Sequence, residues 1–177
     1  MPVLGKAEQA QRVLAKNIAP DQCLVAFYDQ KPVGLLSIQN QEKSLWNPTL
    51  KLLIEEYGLI GGIYRLAGLQ LLHHKTNIGE WYVDGIVVTE EMRGLGIGSG
   101  LLSLLEKMAR NKGIGLLSLE VIDTNQRAKL LYERHGFVEN ARKSIRPFHL
   151  IYGFPFRSAV VMVKTLSSNA PGRQRMV

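Results

Sequence analysis

Apolar and polar residues alternate along the chain with two different spacings. Short runs rich in β-branched and aromatic residues predict strands at 23–28, 32–38, 80–88, 116–122, 137–145 and 158–166. Apolar residues that recur at helical spacing predict helices at 6–18, 98–111 and 125–136. The pattern therefore predicts a sheet with helices packed against it.

The connection at 39–79 is long and has a helical pattern of its own. Trp46-Asn47-Pro48 is predicted to start a helix that Gly58 ends, and a second helical piece covers about 61–74. The second piece is apolar on most sides, so it needs a surface that covers it. It could pack on the core, form the wall or lid of a site, or make a dimer or membrane-surface contact. A metal site at His73 and His74 is not expected, because adjacent helix side chains diverge and no third metal ligand is near. Both histidines are instead predicted to be solvent-exposed.

The strand at 80–88 carries several polar residues toward a glycine-rich loop. Gly85 is a predicted bulge site, where ladder pairing breaks and backbone groups become available to a ligand. Simple alternation places Trp81, Val83, Gly85 and Val87 on one face. The same alternation places on the other face Glu80, Tyr82, Asp84, Ile86 and Val88.

The segment 86–100 reads Ile-Val-Val-Thr-Glu-Glu-Met-Arg-Gly-Leu-Gly-Ile-Gly-Ser-Gly and passes from a strand through a loop into a helix. Without Cβ atoms at Gly94, Gly96 and Gly98, successive N–H groups can turn toward one anion. The helix start adds unpaired N–H groups and a positive dipole end. The segment therefore predicts a phosphate or pyrophosphate site. Rossmann and P-loop spacings do not fit, since Ser99 and Leu101 replace the needed glycine and no Lys-Ser/Thr pair follows.

Length and composition favour one well-buried domain at 1–166, with a flexible tail at 167–177. The chain has 177 residues, 46% of them hydrophobic. Cys23 is its single cysteine, which excludes an intrachain disulfide and suits a reducing, cytoplasmic location. No cysteine or histidine spacing indicates a metal site. The start lacks the layout of a signal peptide, and the apolar stretch 59–72 is too short to span a membrane.

The chain is basic, with a formal net charge of +7 and a sequence pI of about 9.6. Such a charge favours polyanionic partners in general. Nucleic acid is not the expected partner, because no helix-turn-helix, aromatic RNA-binding signature or long basic run is present.

Two segments together resemble a known family. Arg93-x-x-Gly96-x-Gly98 resembles the R-x-x-G-x-G/A signature of the GNAT superfamily of N-acetyltransferases. The stretch 125–137 resembles its second signature, N-x-x-A-x-x-L-Y-E-x-x-G-F, in the right order and at the right separation. The resemblance implies an α/β (α+β) fold with a mixed, mostly antiparallel central sheet, helices on both faces and a splay between the fourth and fifth strands. The usual first strand is doubtful here, because only Pro2-Val3-Leu4 precedes the first helix.

By the same resemblance, the ligand is an acyl-coenzyme A, most often acetyl-CoA, and the acceptor is an unidentified amine. The Asn125 side chain could cap its helix or bond the pantetheine amides, and the Arg93 side chain could bond the loop, a phosphate or a structural partner. Main-chain groups of Ile86, Val87 and Val88 would hold the pantetheine arm. The pyrophosphate would sit on N–H groups of Arg93, Gly94, Gly96, Gly98 and Ser99.

Tyr132 occupies the position whose hydroxyl, by resemblance, serves as general acid toward the coenzyme sulfur. The Val88 N–H is the candidate oxyanion donor. Glu80 and Asp84 are alternative candidates for the general base, unless they are an ordinary exposed pair, and Glu120 is a third.

The resemblance predicts transfer of an acetyl group from acetyl-CoA to a primary amine by direct attack. The alternative is a non-catalytic acyl-coenzyme A sensor or interaction module. The aromatic link at 146–157 could shape an acceptor pocket or fill a sheet edge, and a homodimer remains open.

Overall fold

The computed structural model describes residues 7–15, 19–41, 43–44, 49–72, 74, 76–146 and 148–166. The proposed first strand at 2–4 and the tail at 167–177 lie outside the described residues. The helices are α1 (Ala7–Ala15), α2 (Leu50–Leu72), α3 (Ile97–Asn111), α4 (Gln126–Arg134) and α5 (Phe148–Tyr152). The strands are β1 (Cys23–Tyr28), β2 (Lys31–Gln39), β3 (Glu80–Val88), β4 (Leu116–Ile122), β5 (Val138–Ser144) and β6 (Ser158–Thr165).

The strands form a six-stranded sheet in the order β1-β2-β3-β4-β6-β5. All neighbours are antiparallel except β3 and β4, which run parallel. These two strands pair only from Glu80 opposite Leu116 to Val83 opposite Leu119. Beyond that point the strands part, and Asp84 and Glu120 are the first residues past the last pair. This split confirms the predicted mixed, mostly antiparallel and splayed sheet. The strands β3 and β4 correspond to the fourth and fifth strands of the expected pattern, which counts a first strand before α1.

The main hydrophobic core lies on one face of the sheet, beneath α3 and α4. It joins buried residues of β2, β3, β4 and β6 to residues of both helices, including Leu36, Val83, Leu119, Met162, Leu102, Leu105 and Tyr132. Strand alternation turns Glu80 and Ser118, both buried and polar, to the opposite face. The face opposite the main core therefore carries buried polar side chains.

A bulge interrupts β3 where Gly85 was predicted to allow one. Ser37 of β2 pairs with Gly85, whereas the next residue, Ile38, pairs with Val83, so the register skips Asp84. The extra residue shifts the alternation beyond it. Ile86 therefore packs against the same core as Val83, and its predicted place on the face of Glu80 is wrong.

The connection at 39–79 contains α2, which is broken at Gly58 as predicted. Gly58 has φ 74° and ψ 171°, a region that is essentially restricted to glycine. After the break the chain returns so closely that a Cβ on Gly62 would lie 2.8 Å from the Ile54 backbone nitrogen. Thr49 accepts a hydrogen bond from the Leu52 N–H at 3.3 Å and so helps start α2, while the predicted start at 46–48 lies outside the described residues.

The apolar surface of α2 is covered only in part. Leu52 and Leu53 pack with Val13 of α1, whereas Leu59 and Ile60 are 62% and 85% exposed. Within the described residues, no helical segment combines the length and apolarity that a bilayer span requires.

We expect Gly62→Ala to lower the free energy of unfolding by about 1–3 kcal/mol, because the added methyl group overlaps backbone that cannot rotate away. Gly100→Ala is the matched control, since a Cβ there meets nothing within 4 Å and alanine favours the helix. Urea denaturation measures both changes. A Gly62→Ala protein as stable as Gly100→Ala would contradict the close approach.

Candidate functional site

The N-terminus of α3 forms an anion-binding surface of backbone groups. Gly94 and Gly96 have φ 86° and 81°, which an L side chain adopts only with strain. Gly96 is the N-cap residue of α3, and no side chain caps this end. The first N–H groups of the helix are therefore left for another acceptor, and the helix dipole favours one that is negatively charged.

A cavity of about 500 Å³ opens in front of this helix end, between β3, α3 and α4. It brings together all the residues that the sequence predicted as the coenzyme site: Ile86, Val87, Val88, Arg93, Gly94, Gly96, Gly98, Ser99, Asn125 and Tyr132. Among the predicted catalytic residues, Tyr132 lines the cavity, whereas Glu80 and Asp84 do not.

Two arginines of α4, Arg127 and Arg134, also line the cavity, and the sequence reasoning did not select them. Both side chains are exposed, so their positive charges face the space in front of the glycine-rich loop and the N-terminus of α3. Their positions with Leu131 follow an i, i+4, i+7 spacing, which defines one helix face. That spacing is the signal that could have identified them.

Two side chains whose roles were left open make local contacts. The Arg93 Nε donates a hydrogen bond to the Val88 carbonyl at 3.2 Å, which ties the loop to the end of β3. The Asn125 Oδ1 accepts a hydrogen bond from the Ala128 N–H at 3.1 Å and caps α4. Both residues also line the cavity, so these contacts hold them at its edge.

Tyr132 lies near the end of α4 and is only 7% exposed. Its ring centroid lies 6.0 Å from that of Phe137 in a tilted arrangement. Burial raises the pKa of the Tyr132 hydroxyl above its usual value. The group therefore stays protonated at neutral pH and is a hydrogen-bond donor beside the cavity.

Glu80 is buried on the other face of the sheet and is fully engaged in hydrogen bonds. Its Oε2 accepts bonds from the Asn77 N–H at 2.9 Å and the Asn77 side-chain amide at 2.8 Å. Its Oε1 accepts one from the Ser118 hydroxyl and lies 3.3 Å from the His74 Nε2. Burial alone would raise the pKa of the Glu80 carboxyl, but these donors outweigh it and hold the pKa below its usual value.

His74 corrects the prediction of an exposed histidine. It lies two residues beyond the last residue of α2, Leu72. Its side chain is 14% exposed, and its ring stacks on Tyr82 with centroids 4.1 Å apart. Its Nε2 lies 3.3 Å from Glu80, and its Nδ1 lies 3.4 Å from Glu120. The Nδ1 makes no hydrogen bond with the described residues, so its approach to Glu120 is an ion-pair distance only. A negative charge beside each nitrogen still favours the doubly protonated ring. His73 lies outside the described residues.

Glu120 and Lys143 extend this arrangement toward the surface. The Lys143 ammonium pairs with the Glu120 carboxylate. Burial would raise the pKa of Glu120, but the contacts from His74 and Lys143 hold it below its usual value. Lys143, Glu120, His74 and Glu80 thus form a row of alternating charge, here named the charge ladder. Among the described residues, no group of three His, Cys, Asp or Glu has the arrangement to hold a metal ion.

Tyr82 connects the charge ladder to the split between β3 and β4. Burial is the main cause that raises the pKa of its hydroxyl, and charges on Glu120 and Asp84 add to it, together with a contribution from Tyr132. These groups therefore act electrostatically on one tyrosine. Asp84 is exposed at the bulge, with its Oδ2 3.5 Å from the Ser44 hydroxyl.

A second group of the same residue types lies on the α3 side of the sheet. The Lys164 Nζ is 2.6 Å from the Glu106 Oε2, and the His135 Nδ1 is 3.4 Å from the Glu106 Oε1. These side chains are 15–17% exposed. None of them lines the cavity, so this group is a matched control for the charge ladder.

The His74 imidazolium makes stability depend on pH. Its contact with Glu120 raises the pKa of His74 against the opposing effect of burial, and Glu80 adds to the rise. Lys143 and Tyr82 also face the ring, and the Lys143 charge opposes the rise. A histidine with a raised folded pKa stabilises fully below its usual value of 6.5 and loses this contribution as pH rises through the folded value.

We therefore expect the free energy of unfolding to fall as pH rises above 6.5, and we expect His74→Gln to flatten this slope. The two carboxylates act in the opposite direction, because their lowered pKa values remove stability only as pH falls below 4.5. Denaturation curves at several pH values measure the slope. An unchanged slope in the variant would show that the histidine does not titrate with folding.

A partly open parallel strand pair with an uncapped helix end beside it defines an α/β protein with a candidate anion site at the strand split. The family model for the acetyltransferase (GNAT) family matches residues 5–137. The chain therefore belongs to the acetyltransferase (GNAT) family of enzymes, which confirms the resemblance of the two signatures.

Individual relatives agree with this family. A stretch of 55 residues is 42% identical to thialysine N-epsilon-acetyltransferase of Bos taurus, covering 31% of this chain and about a third (32%) of that protein. The structure is similar to ribosomal-protein-S18-alanine N-acetyltransferase from Escherichia coli, with TM-score 0.58, 18% identity, and 94% of this chain and 82% of that chain covered.

A putative streptothricin acetyltransferase from Bacillus anthracis, solved in complex with acetyl coenzyme A, is similar with TM-score 0.52 and 17% identity, covering 81% of this chain and 61% of that chain. At these identities the two solved structures support the fold.

Proposed function

We propose that this protein is an N-acetyltransferase that binds acetyl-CoA in the cavity in front of α3 and transfers the acetyl group to a primary amine. The observation that carries the proposal is the uncapped N-terminus of α3, preceded by glycines in left-handed conformation, at the open side of the β3–β4 split. Such an end binds diphosphates through backbone N–H groups and the helix dipole.

The residues present fit acetyl-CoA along the whole cavity. A diphosphate would accept hydrogen bonds from N–H groups of Gly94, Gly96 and Ser99, while Arg127 and Arg134 supply positive charge for a further phosphate. The pantetheine arm would follow the backbone of β3 from Val88 to Ile86, because β4 pairs with β3 only as far as Val83. An added strand would bind there in the same way.

Acetyl-CoA supplies the acetyl group and the thiol that departs. The Tyr132 hydroxyl, which its raised pKa keeps protonated, donates the proton that the departing sulfur requires. The Val88 N–H is our candidate for the donor that stabilises the carbonyl oxygen.

The acceptor amine must lose a proton before it attacks. Asp84 and Glu120 are the first residues past the last β3–β4 pair, so either carboxylate can face an amine that enters the split. Glu80 remains a candidate base, although both of its oxygens already accept hydrogen bonds.

The thialysine N-epsilon-acetyltransferase relative is named for an amine substrate, which supports an aliphatic primary amine as acceptor. The single cysteine supports a reducing compartment, and on this ground we propose a cytoplasmic location. We propose no nucleic-acid partner, and a homodimer remains the alternative to a monomer.

Thiol release from acetyl-CoA, measured with a panel of alkylamines, polyamines, amino acids, aminoglycosides and peptides, tests the proposal. Release that requires an amine, with mass spectrometry of the acetylated product, is the expected result. Tight acetyl-CoA binding without product on any acceptor would instead favour the sensor or interaction module. Absence of acetyl-CoA binding in calorimetry would refute both.

A further inference from the structure

The charge ladder runs from solvent into the protein with the sign of the charge alternating at each step. Side-chain exposure falls from 49% at Lys143 to 20% at Glu120, 14% at His74 and 4% at Glu80. Each inner member is fixed by neighbours on both sides, whereas the outer ammonium has one carboxylate and open solvent. The position at Glu120 is thus the one place in the ladder where a cation can be exchanged.

Glu120 also lies where an acceptor must arrive. It is the first β4 residue past the last pair with β3, on the face of the sheet opposite the core of α3 and α4. Tyr82 stacks on the His74 ring and lies on β3 just before the pairing with β4 ends, so it joins the ladder to the place where the strands part. An amine bound at Glu120 would approach the split from the side opposite the coenzyme cavity.

We propose that the charge ladder is the acceptor-binding side of the site, and that a primary alkylammonium binds the Glu120 carboxylate in place of the Lys143 ammonium. This inference rests on the proposed acetyl transfer and names the acceptor class, an amine that is charged when it binds. The Lys143 side chain is a butylammonium group, and it marks the chemistry that the carboxylate accepts. His74 is a positioning residue that holds Glu120 at the split.

Charge balance supports the exchange. When His74 is doubly protonated, it balances one of the two carboxylates of the ladder, and Lys143 supplies the positive charge that the other one needs. An exposed lysine contributes little to stability through such a pair, so its departure costs little. A cationic substrate restores the balance, whereas a neutral amine does not. The Lys164–Glu106 pair has no such exposed partner, because both of its side chains are more than four-fifths buried.

The test uses n-butylamine, which matches the Lys143 side chain, and Lys143→Ala in the full chain. The first readout is the ¹⁵N chemical shift of the His74 imidazole during titration with n-butylamine, assigned with His74→Gln. The second is KM for acetyl transfer to n-butylamine at saturating acetyl-CoA. We expect Lys143→Ala to lower both the dissociation constant and KM by at least ~10-fold relative to wild type. We expect Glu120→Gln to raise both by a similar factor.

Two controls separate this effect from a general loss of charge. Lys164→Ala removes a lysine from the matched pair, and it should leave both constants for n-butylamine at the wild-type values. Aniline is neutral at pH 7.5, and its KM should be the same in wild type and in Lys143→Ala.

The inference and the proposed function fail in different ways. Amine acetylation with a KM for n-butylamine that neither Lys143→Ala nor Glu120→Gln changes would overturn the inference alone. A lower n-butylamine dissociation constant in Lys143→Ala, measured from the His74 ¹⁵N shift, without any change in KM would also overturn it. The ladder would then be a structural row of ion pairs. Absence of acetyl transfer to every amine would overturn the proposed function and the inference together.

Discussion

Tyr132→Phe should lower kcat for acetyl transfer by about 10²–10⁴-fold, the usual contribution of a positioned general acid. The substitution removes only the hydroxyl, and the ring keeps its packing against Phe137 in the main core. Because the hydroxyl stays protonated, its loss removes the proton for the departing sulfur and leaves the coenzyme contacts intact. Initial rates and calorimetric titration with acetyl-CoA measure kcat and the dissociation constant separately.

The matched control is Tyr28→Phe, since Tyr28 lies on β1 at the far edge of the sheet and is 63% exposed. It should change neither constant. A purely structural Tyr132 would lower the melting temperature and weaken acetyl-CoA binding in the phenylalanine variant without a selective fall in kcat. A kcat within twofold of wild type would exclude the hydroxyl as the acid.

The residues that line the proposed coenzyme cavity could be brought together from the sequence because the loop is built from local backbone geometry. Gly94 and Gly96 have left-handed conformations directly before α3, and Gly98 lies in the first turn of that helix. The Asn125 cap is equally local, with its partner three residues further on. A short stretch of chain therefore contained most of the information for this side.

The charge ladder could not be predicted in the same way. His74 meets Glu80 six residues away and Glu120 on a different strand, and Lys143 comes from β5, two strands from β4 in the sheet. Such contacts depend on strand order and register. The positions of His73 and His74 next to each other in a predicted helix carry no information about either. The helix also ends at Leu72, so helical geometry did not apply to His74.

The bulge in β3 shows an intermediate case. Gly85 correctly indicated where pairing would break, but alternation was still applied across it, and this placed Ile86 on the wrong face. The short helix α5 was missed because its five residues, Phe148–Tyr152, are too few to show a helical period. Local residues therefore indicated where the regular pattern breaks, but not how the break changes the orientation of the residues that follow.

Ser99→Asp should weaken acetyl-CoA binding by about 100-fold or more while leaving the fold at least as stable. Ser99 lines the cavity in the first turn of α3, where an acidic side chain interacts favourably with the helix dipole, by about 0.3–1 kcal/mol. The same carboxylate would lie beside the diphosphate. Two like charges about 5 Å apart at an effective dielectric constant of about 20 repel by about 3 kcal/mol, which corresponds to roughly 100-fold in affinity.

Stability and affinity are therefore expected to change in opposite directions, and this separates a binding role from a folding role. Ser99→Asn has nearly the same shape without the charge, and it should keep most of the affinity. Ser103→Asp places the same charge one turn further along α3 on an exposed position, and it should leave affinity within about threefold of wild type because solvent screens it. If Ser99→Asp binds acetyl-CoA as wild type does, the diphosphate does not lie at the N-terminus of α3. The coenzyme would then have to be anchored elsewhere in the cavity, whose lining includes the charged side chains of Arg93, Arg127 and Arg134.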